Sequence, residues 1–397
     1  MSQEQYYKSA ELYTITDNMP INRSESIYDV VVVGAGIVGA ACAYFLAAEG
    51  LRVCVVEKGI VGGGTTAAGM GHLVVMDDSL AQLALTKLSL ELWGELRGEL
   101  PPSVEYRQTG TLWIATDEEE MAEVRRKYAL YRREGLACEM LDGEGLAEAE
   151  PNLRRPMAGA FRVPGDGVIY PPTAAQFLLQ RGTARGALFT ECGVSSIEGN
   201  TVFLGDGRRI SAGWVVNAAG CSAGEFAAGL VMRRRKGHLI ITDRYPGFLR
   251  HQVVELGYLK SAHAVTADSV AFNLQPRATG QILIGSSRQY DDESTTVDQG
   301  IVRRMIDRAC EYMPGVAALS ALRIWTGFRA ATPDKLPLIG PSLENAKMLL
   351  ATGHEGLGIT TSMATGRLIT DMVLGRGSVI AQEPYLPSRM ICEASHA

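Results

Sequence analysis

Asp29-Val30-Val31-Val32-Val33-Gly34-Ala35-Gly36-Ile37-Val38-Gly39 is a run of β-branched residues that meets a Gly-x-Gly-x-x-Gly turn. An Ala-rich stretch from Ala40 to Ala48 follows, and Leu51-Arg-Val-Cys-Val-Val-Glu57 closes the unit. The order reads as strand, turn, helix, strand, with an acid ending the second strand, which is the pattern of a dinucleotide-binding βαβ unit. Gly34 allows the tight turn, Gly36 lets the backbone approach a pyrophosphate, and Gly39 lets the helix pack on the sheet. The helix N-terminus then offers N–H groups and the positive end of its dipole to the phosphates. Glu57 lies 18 positions beyond Gly39, near the roughly 20 expected of the acid that binds a ribose hydroxyl. An acid there disfavours a 2′-phosphate. The run Val30 to Ala48 holds 19 uncharged residues, enough to span a membrane. Its glycines mark a strand-to-helix junction instead, and a buried parallel strand is equally apolar.

The chain has 397 residues, which predicts more than one domain. The apolar fraction of 46% supplies ample core, and a net charge of −6 does not favour nucleic-acid binding. The local basic run Arg233-Arg-Arg-Lys236 reads as a solvated turn or partner contact. The seven cysteines are scattered without a Cys-x-x-Cys pair, so the pattern supports no disulfide framework, zinc site or iron–sulfur ligand set. Polar, acidic first residues without an apolar h-region predict no signal peptide and a reducing, cytoplasmic setting.

Beyond Glu57 the stretch Gly62-Gly-Gly-Thr-Thr-Ala-Ala-Gly-Met-Gly71 reads as a small-residue loop that approaches more of the same cofactor. Residues 79–98, 117–135, 173–185, 297–312 and 360–374 have helical spacing. Trp214-Val-Val-Asn-Ala-Ala-Gly220 reads as a parallel strand ending at a ligand crevice. Strand patterns from 237 to 290, including Val270-Ala-Phe-Asn-Leu274, predict an antiparallel sheet. Gly327-Phe-Arg-Ala-Ala-Thr-Pro-Asp-Lys-Leu-Pro-Leu-Ile-Gly340 reads as a loop, and Met348 to Thr352 as a strand before Gly353-His-Glu-Gly-Leu-Gly358. Residues 1–26, with Tyr6, Tyr7 and Tyr13, read as a loose tail or an arm that docks on a partner.

Four blocks together resemble the flavoprotein family of D-amino acid oxidase, glycine oxidase and monomeric sarcosine oxidase. They are the Gly34/Gly36/Gly39/Glu57 fingerprint, the 62–70 loop, Val215 to Gly220, and Gly327-Phe-Arg with Thr-Pro-Asp and 353–360. The resemblance runs from Tyr28 to Gly375. It implies an α/β class (α+β overall), with a Rossmann-like FAD-binding domain interleaved with a mainly antiparallel substrate domain. The expected boundaries are 27–80, 140–225 and 326–380 for the FAD domain, and 81–139 and 226–325 for the substrate domain. An N-terminal extension, 1–26, and a tail, 381–397, flank them.

By position, the resemblance implies that Ile37, Val38, Glu57 and Lys58 serve the adenosine half of FAD, with Val194 at the adenine edge. Gly64, Thr65, Thr66, Gly69 and Met70 would line the flavin, with Ala218, Ala219, Gly220 and Gly327 nearby. Gly356, Leu357 and Gly358, followed by Ile359 and Thr360, would aim a helix start at the flavin pyrimidine end, where reduction puts negative charge. Arg329 matches the family arginine that grips a substrate carboxylate through a bidentate fork. His72 and Tyr258 are further side chains able to reach the active site. The stretch Trp325 to Ala331 lacks the cysteine that tethers FAD in the sarcosine oxidase branch, so FAD is expected to be non-covalent. An Ala follows Arg329 where the family often has Pro, which loosens the carboxylate site.

The implied reaction removes a hydride from a carbon bearing an amine or imine nitrogen. The block Ala68 to Leu73 and the missing tether resemble the β subunit of bacterial heteromeric dehydrogenases. These act on D-hydroxyproline, L-proline or opines, and the cyanide-forming glycine dehydrogenase belongs with them. Such a subunit passes electrons to partner chains carrying further redox cofactors, and those acceptors would allow peripheral association with the inner membrane. A stand-alone oxidase making hydrogen peroxide and a non-catalytic flavin-binding scaffold are the alternatives.

Overall fold

The computed structural model describes residues 28–230, 232–257, 268–290 and 292–390. The elements that build the site are, in chain order, β1 (Tyr28–Val33), α1 (Ile37–Ala48), β2 (Val53–Glu57), α2 (Gly64–Ala68), β3 (Arg209–Asn217), β4 (Arg233–Thr242), β5 (Ser269–Pro276), β6 (Ile282–Arg288), β7 (Ala321–Ala331), β8 (Met348–Thr352) and α3 (Gly358–Leu374).

The first sheet runs Leu338–Pro341, β8, β3, β1, β2, Leu188–Glu191, with a small antiparallel ribbon attached to β3. From β8 to Leu188–Glu191 all neighbours are parallel. Parallel strands covered on both faces need apolar side chains in both directions, hence the unbroken valines. Val30 and Val32 join α1, α3 and Leu80–Leu96 in one core, while Val31 and Val33 join Cys54, Val56 and Val215 in another. The N-terminal unit thus forms the expected βαβ, with Val30 to Val33 paired to Val53 to Val56.

The second sheet runs β7, β4, β6, β5, Gln252–Glu255, Thr111–Ala115, Gly159–Val163, Glu139–Asp142. It is antiparallel except where Gln252–Glu255 meets Thr111–Ala115. In β5 the strand alternation splits apolar from polar. Phe272 and Leu274 enter a core with helix Gln299–Tyr312, and the Phe272 ring stacks on Tyr312 at 4.5 Å. Asn273 and Gln275 face the other way, toward the first sheet, where Gln275 Nε2 donates to Met70 O at 2.8 Å.

Several sequence expectations change. Gly327 to Ala331 is not loop but the end of the edge strand β7, paired from Arg233↔Ala331 through Gly237↔Gly327 to Ile241↔Arg323. The small residues of 327–331 hide the alternation, and a partner strand about 90 positions upstream supplies the hydrogen bonds. The run Arg233 to Lys236 is not a solvated turn. It opens β4, with Arg235 and Lys236 buried. The 62–71 segment holds a helical turn, α2. The expected domain cuts at 81, 140 and 326 fall inside the helix Leu80–Leu96, the strand Glu139–Asp142 and β7. The helix packs in the first sheet's core through Leu85, Leu92 and Trp93, and both strands belong to the second sheet. Among the described residues no helix is long and apolar enough to cross a membrane.

Candidate functional site

A cavity of about 590 Å³ runs between the two sheets. This is the size range of small-molecule and cofactor sites. One end is made by the fingerprint. Gly34 has φ +102, and a Cβ there would lie 2.6 Å from Ala218 O. A Cβ at Gly39 would lie 1.9 Å from Gly34 O, so α1 can reach the sheet only with glycine there. Gly36 caps α1 without any side-chain hydrogen bond, and no acid sits in the helix's first turn. Thr66 Oγ1 takes the Ile37 N–H, and the rest of the helix N-terminus opens on the cavity beside Gly34, Gly36 and Val38. Glu57 is held at the end of β2 by N–H groups of Ala35 (2.8 Å) and Gly59 (2.9 Å). Each carboxylate oxygen keeps acceptor capacity for a hydroxyl. A cradle with no Cβ, a helix N-terminus with no acid in its first turn and an acid one strand away fit a dinucleotide.

The cavity then passes Lys58 and Val194, Gly64 to Met70 except Ala67, and Ala218 to Gly220. Thr66 Oγ1 accepts from Ile37 N–H at 3.0 Å, and Thr65 Oγ1 donates to Phe328 O at 2.9 Å, which ties α2 to α1 and to β7. Gly327, Gly356, Gly358 and Ile359 line the middle. The far end is bounded by Arg329, His72, His238, Asn273 and Ser286. Three expected cofactor residues stand back from the cavity wall. Gly39 packs α1 on the turn. Leu357 packs in a neighbouring apolar cluster. Thr360 is buried and donates to His72 O at 2.8 Å. Tyr258 lies outside the described residues, as do Tyr6, Tyr7 and Tyr13.

The loop before α3 departs from the expectation of N–H groups aimed at a flavin. Gly356 N–H donates to Glu355 Oε2 at 2.9 Å, and Leu357 N–H donates to His354 O at 2.9 Å. Gly358 and Ile359 at the start of α3 do face the cavity. His354 is buried, its Nε2 is 2.9 Å from Thr365 Oγ1, and burial pushes its pKa down to about 3. Because Thr365 already donates to Thr361 O, the His354 ring is the donor of this bond.

Arg329 sits on β7 with its guanidinium over Gly237, where a Cβ would lie 2.6 Å from Nη1. Nη1 donates to Ser287 O at 3.1 Å. Around it lies a charge cluster that the sequence reading did not single out. Glu355 Oε1 is 2.6 Å from Arg235 Nη1 and 3.9 Å from Arg288 Nε. Burial pushes the Glu355 carboxyl up, but Arg288, Arg329 and Arg235 outweigh it and hold the pKa at about 2. Tyr290 stacks on Arg235 at 4.8 Å. The only sequence signal was an acid set between the glycines at 353 and 356, opposite a basic run.

Glu355 therefore carries a pH signature. Its folded pKa lies below the ordinary carboxyl value, so its contribution to stability is complete above about pH 5 and is lost as pH falls toward 2. Glu355→Gln leaves the buried Arg235 and Arg288 and the half-buried Arg329 without this counter-charge and should cost about 3 kcal/mol at neutral pH. Urea melts at pH 7 and pH 3 check this. A variant whose deficit is as large at pH 3 as at pH 7 would contradict the assignment.

Among the described residues no group of His, Cys, Asp and Glu could hold a metal ion.

A family model described as "FAD dependent oxidoreductase" (DAO) matches residues 29–372. The chain is 28% identical to the glycine oxidase of Geobacillus kaustophilus (strain HTA426), over 92% of this chain and 97% of that protein. It is 27% identical to the hydrogen cyanide synthase subunit HcnC of Pseudomonas aeruginosa, over 91% of this chain and 96% of that one. The crystal structure of L-proline dehydrogenase from P. horikoshii superposes with a TM-score of 0.83 at 26% identity, covering 92% of this chain and 98% of that chain.

Proposed function

The chain belongs to the DAO family of FAD-dependent oxidoreductases, and on that premise we propose that it is an amino or imino acid dehydrogenase. It acts as the catalytic β subunit of a heteromeric complex of the D-hydroxyproline dehydrogenase type. One observation carries the reading. A single cavity joins the dinucleotide cradle at Glu57 to the guanidinium of Arg329. Bound FAD supplies the hydride acceptor, held non-covalently because Trp325 to Ala331 contains no cysteine.

The chain's own residues do the rest. Gly34, Gly36 and the start of α1 seat the pyrophosphate, and Glu57 takes the ribose. Arg329 holds the substrate carboxylate by a charge-assisted fork and so sets the α-carbon against the flavin. The positive end of α3, at Gly358 and Ile359, supports negative charge that develops at the flavin. His72 and His238, both held below their usual pKa by burial, stay neutral near the substrate. Similarity to the HcnC subunit and to L-proline dehydrogenase supports a subunit that hands electrons to partners. Similarity to glycine oxidase supports a second reading, a stand-alone oxidase that makes hydrogen peroxide.

Anaerobic mixing of the FAD-loaded chain with a panel of D-amino, L-amino and imino acids should bleach the flavin with at least one of them. No bleaching by any member would end the catalytic reading and favour a scaffold. Air should then reoxidise the bleached protein slowly and an artificial dye rapidly. Rapid reoxidation by air with stoichiometric peroxide would instead establish the oxidase.

A further inference from the structure

The inner face of the second sheet carries a row of buried polar side chains that the reading above does not use. Cross-strand register sets Thr111 beside Gln252, and Val253 opposite Leu274 places Gln252 beside Gln275. Asn273, two residues before Gln275 on the same face, lines the cavity. At the far end Asp166 lies next to Thr111, with Oδ1 accepting from Val75 N–H at 3.0 Å. All five are more than nine-tenths buried. The Thr111 hydroxyl turns to the Asp166 carboxylate, and Asn273 Oδ1, Gln275 Oε1 and Gln252 Oε1 have no hydrogen-bond partner among the described residues. The same holds for His72 Nε2. His72 lines the cavity and pairs with Val168, two residues past Asp166 in the short ribbon of 72–73 with 167–168.

Buried polar groups are rarely left unpaired, and the cost falls when water bridges them. Three unpaired amide oxygens on one face, open to the cavity at Asn273 and ending at the Thr111–Asp166 pair, define a path for ordered water and protons. We propose that this polar lane connects the substrate cavity to Asp166, which accepts the proton that the substrate ammonium must lose before oxidation. The proposal rests on the amine-oxidising reading above. The ammonium N–H bond breaks and its proton travels down the lane to form the carboxylic O–H of Asp166, while nitrogen keeps the electron pair. The substrate C–H bond then breaks, its pair leaves as hydride to the bound flavin, and the nitrogen pair forms C=N. The substrate is oxidised by two electrons and FAD is reduced by two.

The surroundings of Asp166 suit a weak base. Burial raises its pKa to about 7, against the lowering effect of Thr111 and the Val75 N–H. Tyr131 faces it from helix Glu118–Arg133 and donates to Val75 O at 3.2 Å. Beyond Tyr131 lies the buried Asp77–Lys127 pair, which neutralises itself. His72 on the ribbon is kept neutral by burial, at about 4. Thr111 and Gln252 bring no charge.

Two variants of the full FAD-loaded chain test the lane, Asp166→Asn and Gln252→Leu, neither residue lining the cavity. Bleaching is followed anaerobically with whichever of glycine, sarcosine, D-alanine and D-proline reduces the wild type fastest. Wild-type reduction should rise with pH and level off above about pH 7. Both variants should slow it roughly a hundredfold at pH 7, and should recover only as the substrate amine itself loses its proton in solution. The second readout needs no substrate. Infrared difference spectra of the wild type should show a buried carboxyl band that titrates near neutral pH, vanishes in Asp166→Asn, and exchanges with deuterium more slowly in Gln252→Leu. Wild-type pH profiles in both variants, or a band whose exchange ignores Gln252→Leu, would overturn the lane. Failure of every amine to bleach the wild type would overturn the amine-oxidising reading, and the infrared measurement would still decide the lane.

Discussion

Arg329→Ala should leave the protein folded and yellow but raise its KM for an amino or imino acid on the order of a hundredfold. The guanidinium is the cation that lines the substrate end of the cavity from β7, braced by Ser287 O and seated over Gly237. A carboxylate gripped by two parallel charge-assisted bonds loses both when the fork is removed, about 3 kcal/mol. Arg329→Lys should recover little, because an ammonium cannot form the fork. Steady-state kinetics with a dye acceptor measures the effect. An unchanged KM in Arg329→Ala would remove the arginine from its role. The FAD content per chain should not change, since the pyrophosphate cradle lies at the other end of the cavity.

Gly39→Ala should do the reverse and abolish cofactor retention. The added Cβ would meet Gly34 O at 1.9 Å, a backbone atom fixed by the β1 turn, so α1 must move off the sheet. We expect the purified chain to be colourless and destabilised by about 3 kcal/mol, as for an overpacked core. Gly36→Ala is the useful contrast. Its Cβ would meet Thr66 Oγ1 at 3.2 Å, a side chain that can give way. That variant should keep its fold and weaken FAD binding instead, because the methyl group occupies the space of the pyrophosphate. The absorbance ratio at 450 and 280 nm, with urea midpoints, separates the two. A yellow Gly39→Ala protein with a normal midpoint would refute the packing argument.

What could be read in the sequence was what is local. The unit from Asp29 to Glu57 fixes its own strand, turn and helix within one short stretch, and its glycine spacing already implies the approach of α1 to the sheet. Val215 to Gly220 could likewise be read as a parallel strand end. The second sheet could be read only in part. Val270 to Leu274 alternates clearly, but Gly327 to Ala331 does not, and β4 decides its state from far upstream. Arg329 was picked out by its neighbours in sequence, while the element carrying it was misread. Glu355, Arg235 and Arg288 come from three separate segments and meet only through the pairing of β4 with β6 and β7 and the turn before α3. No spacing rule announces such a meeting. The polar row of Thr111, Gln252, Gln275 and Asn273 was hidden for the same reason, since each residue looks ordinary on its own strand.

The order of the first sheet bears on how the chain is made. Its central strand β1 leaves the ribosome early, its neighbour β3 much later, and β8, which covers the outer edge of β3, near the end. Until β8 arrives, Val215 to Asn217 present an unpaired strand edge to solvent. The helix α3 that covers α1 comes later still. Synthesis at a few residues per second holds this edge open for many seconds on a nascent chain dominated by distant pairings. On this order of synthesis, the yield of the protein should respond to chaperones and growth temperature more than to the stability of the finished fold.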